Sequence, residues 1–97
     1  MKVSDVTNID LAKYVRLDDA SDLELNELER MRSGAVAFIK SYTGLTDEEV
    51  DEHEDITQVL FILVADMFDN RNYQMDSKSV VNPAVKSILN LHSVNLL

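Results

Sequence analysis

The reading of this chain turns on residues 55–70, Asp55-Ile56-Thr57-Gln58-Val59-Leu60-Phe61-Ile62-Leu63-Val64-Ala65-Asp66-Met67-Phe68-Asp69-Asn70, which contain neither Gly nor Pro. Ile56, Val59, Leu60, Leu63, Val64, Met67 and Phe68 recur at separations of three and four, the period of an α-helix. Together they cover well over half of its circumference, so this helix belongs at the centre of the fold. Phe61 and Ile62 fall outside the main stripe and are expected to face a second helix or a neighbouring subunit. The longest unbroken apolar run, Val59 to Ala65, is far shorter than the ~20 residues that cross a bilayer.

Working back towards the N-terminus, seven acids lie between Asp47 and Asp55 and predict an exposed anionic segment. Thr46-Asp47-Glu48-Glu49 has the capping-box pattern and opens a short helical turn there. Ser21-Asp22-Leu23-Glu24 repeats the pattern and starts a long helix, in which Ser21 and Glu24 exchange hydrogen bonds. Gly44, after Tyr42-Thr43, ends that helix as the residue that adopts positive φ without steric cost. Leu25, Leu28, Ala35, Ile39 and Tyr42 form its apolar stripe, with Phe38 at the flank. Arg32 interrupts the stripe, so part of this face is expected to meet water or a partner. Gly34 costs up to ~1 kcal/mol relative to Ala inside a helix, or else admits another backbone closely. A first short helix is read from Ile9 to about Val15, with Asn8 as N-cap and Ile9, Ala12 and Val15 on one face. Residues 16–20 read as a turn.

Towards the C-terminus, residues 72–81, NYQMDSKSVV, show no helical period and read as a loop or extended arm. Asp69-Asn70-Arg71 reads as a helix end, with Arg71 near the negative end of the dipole. Asn82 and Pro83 are the N-cap and first position of a closing helix, whose apolar side is Val85, Ile88, Leu89 and Leu91. Residues 93–97 form an apolar tail. The expected architecture is one all-α domain over residues 1–97. It is a small bundle of about four helices with the long second and third packed antiparallel.

Composition narrows the chemistry. The chain has 97 residues, 18 acids against 9 bases, and a formal net charge of −9. Affinity for a phosphate backbone comes from Lys and Arg displacing counterions, so nucleic-acid wrapping is disfavoured. With no cysteine, disulfides, thiol nucleophiles and thiolate metal sites are all absent, as suits a reducing compartment. Asp5 and Asp10 interrupt the N-terminal stretch where an export signal needs apolar residues. The acid run has no Gly for the turn of a calcium loop. His53, between Glu52 and Glu54, lacks a partner at metal-ligand spacing and reads as a surface histidine; His92 lies on a different helix. Ser93 beside His92 is adjacency in sequence, not a triad. With glycine only at 34 and 44, no phosphate-cradling loop is present. Met31, Phe38, Tyr42, Met67 and Phe68 read as core. No catalytic residue, cofactor or metal is therefore expected.

The order of these elements resembles the small head–tail connector (adaptor) proteins of tailed bacteriophages and related prophages. Residues 9–18, IDLAKYVRLD, look like that family's opening helix and acidic turn. Residues 35–44, AVAFIKSYTG, look like its second helix, which typically ends in Tyr-Thr-Gly. Residues 60–71, ending Asp66-Met67-Phe68-Asp69-Asn70-Arg71, are similar to its apolar third helix. Asn82-Pro83 with Val85, Ile88 and Leu89 resembles its closing helix. The resemblance extends over nearly the whole chain.

It implies a subunit that assembles into a homo-oligomeric ring between portal and tail at the head–tail junction of the virion, after synthesis in the host cytoplasm. The ring extends the DNA channel without specific DNA binding, and contacts the portal protein and a downstream stopper or tail-completion protein. The residues themselves are compatible with this in that Tyr73, Met75, Val80 and Val81 in the arm, and Val94, Leu96 and Leu97 in the tail, have little use inside a monomer. They are the expected interface. An anionic channel wall would also repel passing DNA. The alternative reading is a small acidic regulator, or DNA mimic, that binds a basic host protein.

Overall fold

A computed structural model describes residues 1–70 and 82–94. Helices occupy 76% of these residues and no strand occurs among them, so the chain is all-α. A single 3-10 turn at Val3–Asp5 precedes five helices: α1 (Asn8–Tyr14), α2 (Asp22–Thr43), α3 (Asp47–Asp51), α4 (Glu54–Asp69) and α5 (Pro83–His92). The expected arm at 72–81, and with it Tyr73, Met75, Val80 and Val81, lies outside the described residues, as do Arg71, Leu96 and Leu97.

The capping residues act locally as their spacing demands. Ser21 Oγ accepts from the Glu24 amide at 3.2 Å, and Glu24 returns a bond from the Ser21 amide at 3.1 Å. Thr46 and Glu49 do the same ahead of α3. Gly44 closes α2 at φ 76°, in the left-handed region. Asn82 Oδ1 accepts from the Ala84 amide at 2.8 Å ahead of α5, with Pro83 in the first turn.

At the first helix the structure corrects the expectation. Its N-cap is Thr7, not Asn8: Thr7 and Asp10 form a reciprocal box at 3.1 and 2.9 Å. Leu11 and Ala12 are buried, while Ile9 is 59% exposed. The apolar face is thus rotated from the one expected, because α1 meets α2 and α4 through Leu11.

Leu28, Ala35 and Ile39 of α2 pack against Ile56, Val59, Leu60, Leu63 and Val64 of α4, all at 1% exposure or less. Val85 and Leu89 of α5 complete the core. Burying each of the larger side chains stabilises the fold by roughly 1.5–3 kcal/mol before entropy is set against it. Phe61 faces α1, its ring centroid 5.0 Å from that of Tyr14. Arg32, expected to meet water or a partner, is half-buried and donates from Nε to the Val6 carbonyl at 3.1 Å. It ties the N-terminal segment to the middle of α2.

Three contacts bring the end of α5 to one pole of the bundle. His92 Nε2 lies 2.7 Å from Asp55 Oδ2, and Tyr42 Oη donates to Asn90 Oδ1 at 2.7 Å. The Val94 amide donates to the Thr43 carbonyl at 2.8 Å. The end of α2 and the start of α4 therefore share this pole, and the two long helices run antiparallel.

Candidate functional site

The same pole carries the densest concentration of chemistry among the described residues. α4 begins at Glu54, so its first turn presents Asp55 towards α5, while His53 occupies the joint immediately before it. α5 runs into this region from the opposite direction and ends on His92. The two imidazole rings stack at 4.0 Å between centroids with 24° between planes. His92 Nε2 lies 2.9 and 2.7 Å from the two oxygens of Asp55. The His92 side chain is 16% exposed and that of Asp55 42%, so the pair is only partly screened by water. One ligand atom from each of His53, Asp55 and His92 lies within 4.8 Å of the others.

Reading along the chain does not reveal this cluster. His53 was expected to be an isolated surface histidine, and instead it is half-buried against a second one. The two rings are 39 positions apart, and only the antiparallel return of α5 along α4 joins them.

Two exposed apolar residues flank His92 along the chain. Leu91 is 74% and Val94 65% exposed, although the backbone carrying them is held by the three contacts at this pole. Val94, an expected interface residue, is thus at the surface.

In the acid run Asp47, Glu48, Glu52 and Glu54 are exposed, as expected, and Glu49, Asp51 and Asp55 are half-buried. Asp47 pairs with Lys40 at 3.0 Å, and Glu49 is committed to the Thr46 cap. Asp51 accepts from the Ser4 hydroxyl at 2.6 Å and from its amide at 3.0 Å. Those two hydrogen bonds, the hydroxyl's first, hold the Asp51 carboxyl below its ordinary pKa.

On the neighbouring face, Val3, Ser4, Arg32, Val36, Lys40 and Asp51 help line an open groove of about 390 Å³. Its cations are already engaged, Arg32 with Val6 and with Glu29 at 3.5 Å, and Lys40 with Asp47. Among the described residues, no helix is long and apolar enough to cross a membrane. No family model, curated protein or solved structure matches the chain.

Proposed function

We propose that the chain is the protomer of a head–tail connector ring in a tailed phage or prophage, a structural part that catalyses no reaction. The observation that carries the reading is the pair of exposed apolar residues at the end of α5. Leu91 and Val94 are largely exposed, yet the segment beneath them is fixed to α2 and α4 by side-chain and backbone hydrogen bonds. A surface both apolar and preorganised loses little entropy on docking. The order of sequence motifs, from the opening helix to Asn82-Pro83, supports the same reading. Its partners would be copies of itself, the portal above and a stopper or tail-completion protein below. DNA would pass through the ring, repelled by the net charge of −9.

The acidic-regulator alternative draws on the exposed carboxylates of Asp47, Glu48, Glu52 and Glu54; it predicts a salt-sensitive complex with a basic host protein, to be sought in pull-downs from host lysate at low salt. The test is to mix the protein with cognate portal assemblies and examine them by native mass spectrometry and electron microscopy. Ring-shaped adducts are expected. Leu91→Glu with Val94→Glu should abolish them while leaving helical circular dichroism unchanged. Absence of any association by the unaltered protein would overturn the reading.

A further inference from the structure

We propose that His53, Asp55 and His92 form a site for a divalent transition-metal ion of the zinc class, with a fourth position left to water. The inference is independent of the connector reading.

The first argument is the donor set. Two imidazoles and one carboxylate suit zinc, cobalt, nickel or copper, whereas calcium and magnesium prefer oxygen donors throughout. Three protein ligands are enough for zinc when a water completes the tetrahedron.

The second argument is geometric. The candidate donor atoms already lie within 4.8 Å of one another. A tetrahedral ion with bonds of about 2.0–2.1 Å sets its donors about 3.3–3.5 Å apart. Closing that difference calls on side-chain torsions, chiefly of His53 in the joint before α4. His92 Nε2 lies 2.9 and 2.7 Å from the two Asp55 oxygens, so an ion bound there replaces this hydrogen bond: the proton between them leaves and the two groups separate by roughly half an ångström or more to admit it.

The third argument concerns what His53 does otherwise. It is the N-cap of α4 but makes no side-chain capping bond, whereas Thr7, Ser21, Thr46 and Asn82 each cap their own helices. Position 53 is thus occupied by a residue that does not serve the helix it precedes. It lies instead face to face with His92, where the two rings offer each other no hydrogen bond. An ion would bind both neutral rings through their in-plane nitrogen lone pairs, turning them out of the stack towards one point, and would so give each a bonding role. It would also staple the start of α4 to the end of α5.

Untagged, full-length protein titrated with ZnCl2 tests this, with the imidazole carbon-bound protons followed by NMR and the thermal midpoint by circular dichroism. The resonances of His53 and His92 should move together and saturate at one equivalent, with a rise in Tm. MgCl2 should move neither. His53→Asn supplies a favoured N-cap, so that variant keeps its helix content and separates ligation from folding. It should lose the Tm response, and Asp55→Asn should weaken zinc binding at least about tenfold. Two results would overturn the site: histidine resonances that stay still at millimolar ZnCl2, or zinc affinity unchanged in His53→Asn.

Discussion

Arg16 shows how a side chain can sit in the wrong backbone region for a sound local reason. Its φ is 60°, in the left-handed region that disfavours any residue with a Cβ by roughly 1–2 kcal/mol. The geometry around it is a complete Schellman motif: the Leu17 amide bonds the Ala12 carbonyl at 2.8 Å, and the Arg16 amide bonds the Lys13 carbonyl at 3.1 Å. That motif ends α1 and folds Leu17 onto the core. Arg16→Gly should keep both bonds and raise stability by up to ~1 kcal/mol, measured by urea denaturation. The sequence carries no mark of this position, because glycine is the usual signal and it is missing. The start of α1 was misread for a related reason. Thr7-Asn8-Ile9-Asp10 is a capping box with Asp in place of the usual Glu or Gln, and the adjacent Asn8 is itself a good cap residue.

Of the helices, α2 was the most legible, since a capping box and a glycine stop bracket it, and both are local. What could not be read was how its side chains are shared out among neighbours. Arg32 breaks the apolar stripe, but its partner is the Val6 carbonyl, 26 residues away. Gly34 carries either an intrinsic helix cost or a close backbone approach. A Cβ built there meets nothing within 4 Å, so no neighbour among the described residues requires glycine. Gly34→Ala should therefore stabilise the isolated protein by about 0.5–1 kcal/mol in chemical denaturation. Should a partner's backbone pack against Gly34, the same change will weaken that association despite the gain in Tm. The histidine cluster was illegible for a stronger reason. Its members lie on two helices whose pairing follows from tertiary packing, not from any spacing.

For the molecule as a whole, the bundle was legible because its two long helices carry strong periodicity, and one of them is apolar nearly all round. Its response to acid follows from three carboxyls. Hydrogen bonds from the Thr7 backbone and then its side chain hold Asp10 below its ordinary pKa of 3.8. Asp51 is held low by Ser4. Both contribute stability that is fully present above that ordinary value and lost as pH falls through the lowered one. Asp66 has the opposite sign. Burial, then the charge of Asp69, raises its pKa, so its cost applies above the raised value and is relieved below it. Asp51→Asn should accordingly lower Tm at pH 7 and do little near pH 2, well under the carboxylate range of about 3.9. Asp66→Asn should raise Tm at pH 7, and that gain should fade over the same descent. Thermal melts across this range check both signs.

The chain contains no tryptophan, which gives one packing detail an unexpected use. Tyr14 lies against Phe61 where α1 meets α4, and the Tyr42 hydroxyl is bonded to Asn90 where α2 meets α5. Phenol fluorescence is not masked by a stronger emitter, and in a Tyr73→Phe variant it comes from these two rings alone. The protein comes with its own optical labels at the two joints that hold its shorter helices in place.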